Sequence, residues 1–181
     1  MQSPNPHIIL IGFKHVGKSV IGRVLARRLK QTHIDLDQEI ERLYQDQYQI
    51  KLTCRQIVQQ KGEIFFRNLE QTTLQQVIRR APCIISTGGG APMRAKNRQL
   101  LAAHCIIHIT AKPKQVFNRI MRKGRPTFFV GKDPWGSFNH LWHSREKVYK
   151  ALATFSIENS GSVALTVERI VEMLKSSGIK N

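Results

Sequence analysis

The sequence predicts an α/β fold: a three-layer sandwich with a central parallel sheet and helices on both faces. Three observations carry this. Short apolar runs alternate with segments of helical periodicity along the chain. The first apolar run ends at a glycine-rich loop that opens directly into an amphipathic segment, the start of a strand–loop–helix unit. The 181 residues hold no internal repeat and no low-complexity tract, so one domain over 1–181 is expected.

In order, His7–Ile11 (His-Ile-Ile-Leu-Ile) reads as a buried parallel strand. Val20–Leu29 places Val20, Ile21, Val24, Leu25 and Leu29 on one helix face. His33–Leu36 predicts a second, shorter strand. Gln38–Tyr44, Thr53–Gln60 and Glu63–Arg80 predict helices. Cys83–Ser86 predicts a third strand, closed by Thr87 and three glycines. Ala95–Ala103 predicts a helix, Cys105–Ile109 a fourth strand, and Pro113–Met121 another helix. Phe155–Glu158 is a candidate fifth strand, and Val167–Lys175 a C-terminal helix. Lys123–Asn139 differs: Gly124, Pro126, Gly131, Pro134 and Gly136 lie among aromatics and cations, and the stretch reads as a long loop of lid length.

Composition narrows the function. Lysine and arginine total 29 against 12 aspartates and glutamates, a formal net charge of +17. That charge suits polyanionic partners such as nucleotides and phosphorylated metabolites. The basic residues are spread along the chain with no nucleic-acid motif, so nucleic acid is expected to bind at most non-specifically. No apolar run approaches the roughly 20 residues of a membrane span. Met1–His7 is polar and lacks the layout of a secretory signal, so a cytoplasmic monomer is expected. Cys54, Cys83 and Cys105 share no metal-ligand spacing; Cys83 and Cys105 read as buried, reduced thiols. His140 and His143 fit one helix face, but without a third ligand they read as surface residues.

Gly12-Phe13-Lys14-His15-Val16-Gly17-Lys18-Ser19 fits G-x-x-x-x-G-K-S/T without a mismatch. Gly12 lets the chain turn off the strand, and Gly17 allows backbone to approach phosphate oxygens. Loop amides and the positive helix end then face a β-phosphate, Lys18 reaches the β- and γ-phosphates, and the Ser19 hydroxyl is placed for Mg²⁺. The motif specifies a nucleoside triphosphate and leaves the acceptor open. For the acceptor, Asp35 and Asp37 alternate after the second strand and can face one cleft. Asp37 also suits the cap of the helix expected from Gln38. Arg67 lies beside Phe65-Phe66, and Gly88-Gly89-Gly90 expose backbone at the end of a buried strand.

Together these blocks resemble the shikimate kinase family over nearly the whole chain. The matches are Gly12–Ser19 with Gly22-Arg23 and Leu25-Ala26; Asp35-x-Asp37; Gly62-Glu63-x-x-Phe66-Arg67-x-x-Glu70; Gly88-Gly89-Gly90; Arg125-Pro126; and Arg145-x-x-x-Tyr149. The resemblance implies the architecture of nucleoside monophosphate kinases, with a substrate-binding segment over about 35–80 and a lid over about 123–139. It implies phosphorylation of shikimate by ATP to shikimate 3-phosphate, a step of aromatic amino acid biosynthesis. Gly12, His15, Val16, Gly17, Lys18, Ser19, Val20, Arg119 and Arg125 would bind ATP, with Arg119 flanking adenine across a one-residue gap. Asp37, Arg67, Gly88, Gly89, Gly90 and Arg145 would surround shikimate, the two arginines clamping its carboxylate. Lys18, Asp37 and Arg125 would be catalytic. Mg²⁺ would sit on Ser19 directly and on Asp35 through water.

The chain departs from the family pattern in Val20 for threonine, in Thr127-Phe128-Phe129 where leucines are favoured, in Thr154 where aspartate is common, and in its high charge. Two alternatives stay open: a kinase of the same architecture for gluconate or a nucleoside monophosphate, and an inactive basic protein that binds nucleotide or nucleic acid.

Overall fold

The computed structural model describes residues 6–122 and 132–179. Its centre is β1 (Ile8–Ile11), whose four residues are all buried, as expected of a parallel strand covered on both faces. β2 (His33–Asp35), β3 (Ile84–Ser86), β4 (Cys105–Thr110) and β5 (Phe155–Glu158) complete a five-stranded sheet in the order β2-β3-β1-β4-β5. All pairings are parallel, with Ile8 opposite Ile84 on one side and Cys105 on the other. Helices cover both faces. The chain leaves β1 toward one edge and later crosses to the other. The carboxyl end of β1 is therefore a topological switch point, where open parallel sheets bind ligands.

The helices are α1 (Lys18–Leu29), α2 (Leu36–Tyr48), α3 (Cys54–Lys61), α4 (Glu63–Ile78), α5 (Ala95–Leu101), α6 (Pro113–Met121), α7 (Pro134–Leu152) and α8 (Val163–Ser176). A single 3₁₀ turn, Ala91–Met93, follows the triple glycine. α3 starts on a capping box in which Thr53 and Gln56 satisfy each other's backbone N–H. α1 comes close to the sheet because residue 22 is glycine: a Cβ there would lie 2.5 Å from His33 Nε2 and 2.7 Å from Ser86 Oγ.

Three expectations need correction. The cap of α2 is Asp35, which accepts from Asp37 N at 3.1 Å, and the helix begins at Leu36, so Asp37 lies inside its first turn. Of the stretch expected as a loop, residues 134–139 begin α7, a helix of 19 residues capped by Asp133; residues 123–131 lie outside the described residues, with Gly124, Arg125, Pro126 and Thr127-Phe128-Phe129 among them. α8 begins at Val163, four residues before the expected start, on a Ser162 cap. The strand at Phe155–Glu158 is present. Thr154 has a definite job there: its hydroxyl accepts from Ile106 N at 3.0 Å, extending the β4–β5 pairing by one rung.

α7 buries Phe138, Trp142 and Tyr149 and packs on β4 and the 3₁₀ turn. Phe138 and Trp142 pack on Phe13, with ring centroids 5.4 and 5.2 Å away. The loop after β1 is thereby pinned from the α7 side.

Candidate active site

The phosphate loop runs from Gly12 to the first turn of α1. Gly12 has φ +140°, and a Cβ there would overlap the Ile109 carbonyl oxygen. Gly17, at φ +106°, is the cap residue of α1. His15 also adopts a left-handed conformation at φ +66°, which strains a residue with a Cβ by about 1–3 kcal/mol. Val16 is fully buried and Val20 is exposed. Lys18 is buried, and its ammonium donates to the carbonyls of Gly12 at 2.9 Å and Phe13 at 2.8 Å. Burial lowers its pKa to about 8 against the pull of Asp37 and Asp35; Arg145 and Lys14 lower it further. Ser19 occupies that same first helical turn, half-buried.

A polar cleft of about 320 Å³ opens beside the loop, lined by Gln115, Asn118, Arg119, Arg122, Asn159, Ser160 and Gly161. Arg119 Nη1 donates to the His15 carbonyl at 3.2 Å. The structure thus puts Arg119 against the phosphate loop. Asn159, Ser160 and Gly161 follow β5 and were invisible as site residues in the sequence. A short polar run between a strand and a helix was the only available signal.

On the other side, the triple glycine is the point where the remaining site residues converge. None of Gly88, Gly89 and Gly90 has a positive φ. Space is what they supply. A Cβ at Gly88 would lie 2.7 Å from Asp37 Oδ1, and one at Gly90 would lie 2.6 Å from both Arg67 Nη atoms. One at Gly89 would lie 3.2 Å from Lys14 N and 3.4 Å from Gly12 O, both in the phosphate loop. Each glycine therefore admits a different neighbour, and the three together let Asp37, the loop and Arg67 each pack close against this one short segment.

Asp37 is half-buried, and desolvation raises its pKa first, with Asp35 adding; Lys18 and Lys14 oppose. Arg67 is held by carboxylates on its own helix. Glu70, 1 % exposed, accepts from Nη1 at 3.0 and 3.1 Å, and Glu63 accepts from Nη2 at 3.2 Å. Burial opposes the charge on Arg67, and the two glutamates outweigh it, so the guanidinium stays charged. Arg145, one turn before Tyr149 on α7, stacks over the Phe13 ring at 5.4 Å. The Tyr149 hydroxyl donates to the Gly89 carbonyl, and burial pushes its pKa up to about 12. Glu70 and Tyr149 belong to motifs legible in the sequence, yet their jobs, aiming Arg67 and anchoring Gly89, emerge only in three dimensions. Arg125 lies outside the described residues.

Among the described residues no cluster of three histidine, cysteine or acidic side chains could hold a metal. The oxygens the motif would offer a hard cation are the Ser19 hydroxyl and the Asp35 carboxylate. That set fits Mg²⁺, which keeps most of its ligands as water and phosphate and needs only one or two protein oxygens.

A phosphate loop at a switch point, a half-buried aspartate and an arginine packed against the same triple glycine, and a second arginine over Phe13 fit a nucleotide-dependent kinase of a small acidic molecule. Comparison with known proteins takes this further. The family model for shikimate kinase matches residues 14–175. A shikimate kinase of Bordetella avium is 36% identical over 165 residues, 89% of this chain and 76% of that one. One from Chromobacterium violaceum is 32% identical over 180 residues, 98% and 94% of the two chains. A solved shikimate kinase from Acinetobacter baumannii, in complex with shikimate, superposes with a TM-score of 0.86 at 28% identity, covering 97% of this chain and 96% of that one. The chain belongs to the shikimate kinase family.

Proposed function

We propose that this protein transfers the γ-phosphoryl group of ATP to a ring hydroxyl of shikimate, giving ADP and shikimate 3-phosphate for aromatic amino acid biosynthesis. The observation that carries the reading is the triple glycine, against which Asp37, the phosphate loop and Arg67 each pack at a different residue. Shikimate offers a planar carboxylate and neighbouring hydroxyls. Guanidinium forks suit the first, and an ionised carboxylate accepts from the second.

In this reading Arg67 and Arg145 hold the acceptor's carboxylate, and Gly88–Gly90 shape the wall behind it. Asp37 accepts a hydrogen bond from the attacking hydroxyl. As the new O–P bond forms and the bond to the β-phosphate bridge breaks, the hydroxyl proton passes to Asp37 and later to solvent, and ADP leaves. Burial raises the basicity of Asp37 above that of an exposed carboxylate, which aids this step. Lys18 neutralises charge on the moving phosphoryl group, and the loop amides hold the β-phosphate. The purine base takes the cleft beside Arg119. Mg²⁺, held by Ser19 and through water by Asp35, would supply charge neutralisation between the β- and γ-phosphates.

Among the described residues no helix is long and apolar enough to cross a membrane. A monomeric state and a cytoplasmic location are part of the same proposal. The test is ADP release by the purified protein across a panel of shikimate, gluconate and nucleoside monophosphates, with and without Mg²⁺. Shikimate-dependent, Mg²⁺-dependent release is expected; faster turnover of any other acceptor would overturn the assignment.

A further inference from the structure

We propose that Asn159 is a positioning residue for the phosphate loop: its side-chain amide holds the Val16 carbonyl outward and so aims the Gly17 N–H inward, at the nucleotide's phosphates. This deepens the nucleotide reading of the loop and rests on it.

A loop that cradles an anion needs its N–H groups pointing in, and therefore its carbonyls pointing out. In a trans peptide the carbonyl of one residue and the N–H of the next point in opposite directions. Whatever holds a loop carbonyl thereby sets the following N–H. Asn159 Nδ2 donates to the Val16 carbonyl at 2.9 Å. Its Oδ1 accepts from the Thr166 hydroxyl at 3.2 Å, and its backbone N–H donates to Thr110 O at 2.8 Å. The residue is 8 % exposed. Both ends of the amide are engaged, so a flipped amide would set Oδ1 against the Val16 oxygen, two acceptors face to face.

Residue 17 is glycine partly for this reason. A Cβ there would lie 2.6 Å from Asn159 Nδ2, so only glycine lets the amide come this close. Arg119 acts in the same way one peptide earlier, donating to the His15 carbonyl and so setting the Val16 N–H. Lys18 holds the carbonyls of Gly12 and Phe13. Asn159 and Arg119 also line the cleft assigned to the base. The wall that receives the base is therefore the wall that sets the loop's peptides.

The test separates phosphate grip from base contact. Asn159→Leu keeps the branched skeleton of the side chain, removes the donor and adds no charge. Inorganic tripolyphosphate reports the loop alone, and adenosine reports the base cleft alone. In the variant, the dissociation constant of tripolyphosphate and the KM for ATP should rise about tenfold, the scale of one lost hydrogen bond. Adenosine affinity should change less than that of tripolyphosphate, and the KM for shikimate should stay put. Loss of adenosine affinity with unchanged tripolyphosphate binding would make Asn159 a base contact and overturn the proposal. A lower melting temperature with unchanged tripolyphosphate affinity would make it a structural residue and overturn it equally. Should Asn159→Leu fail to fold, Thr166→Val, which frees Oδ1, should weaken tripolyphosphate about two- to threefold, the scale of a partly lost hydrogen bond; no change there would also refute the idea. A wild-type protein that binds neither ATP nor tripolyphosphate would instead sink the nucleotide reading, and this proposal with it.

Discussion

The phosphate loop and the acceptor pocket meet at Gly89, but they are made of different material. The loop is backbone: amides from eight consecutive residues, with two glycines at φ +140° and +106° and carbonyls held by Lys18, Arg119 and Asn159. The proposed pocket is side chain: Asp37 from α2 and Arg67 from α4, packed against glycines that add no side chain of their own, with Arg145 from α7. Backbone polarity is a fixed property of a short sequence, so a loop of this kind binds the part of the substrate that never varies. Side chains drawn from distant segments can be changed one at a time, and they set which acceptor is taken.

That contrast can be broken by substitutions that should strike one half alone. The largest effect is expected at Asp37. Asp37→Asn should lower kcat by roughly 10²–10⁴ with a far smaller change in ATP affinity, since the group's main action is on the acceptor's proton. ATP binding by calorimetry beside a coupled ADP assay checks this; near-wild-type turnover would remove Asp37 from the chemistry.

Glycine substitutions come next. Gly90→Ala pushes a methyl group into the Arg67 guanidinium and should raise the KM for shikimate about tenfold with little change for ATP. Gly17→Ala, at φ +106° and against Asn159, should do the reverse, raising the KM for ATP by about tenfold. If either variant moved both constants together, the two halves would not be separable.

The smallest effect concerns pH. Burial brings Lys18 down to about 8, so in the free protein its ammonium loses its proton as pH rises through that value. Nucleotide phosphates favour the charged form, so binding ATP above pH 8 should take up a proton, and affinity should fall as pH rises. Calorimetry in two buffers of different ionisation enthalpy reads the proton directly. In Lys18→Met this uptake should vanish.

The same contrast explains what was legible in the sequence. The loop is local, so its eight residues could be read in one line, and the parallel strands were readable as continuous apolar runs because both of their faces are covered. α7 was not readable at its start. Pro134 and Gly136 look like loop residues, yet Pro134 suits a first helical turn, and Gly136 leaves room for the Asp133 cap, whose carboxylate a Cβ would strike. The run Phe138, Trp142, Arg145, Tyr149 carries the helical spacing, but histidines and aromatics mask it. The exchange of caps at Asp35 and Asp37 turned on where β2 stops, the least certain feature of any sequence reading. The triple glycine stood out as an anomaly, while its purpose, close approach by three different neighbours, is a tertiary fact that no local pattern encodes.

The most direct measurement is a crystal structure of the protein with ADP and shikimate. The acid's carboxylate should lie between the guanidinium groups of Arg67 and Arg145, with a ring hydroxyl on Asp37 and the β-phosphate of ADP against the amides of the loop. Shikimate bound away from those three side chains, or a nucleotide whose phosphates sit outside Gly12–Ser19, would contradict the assignment.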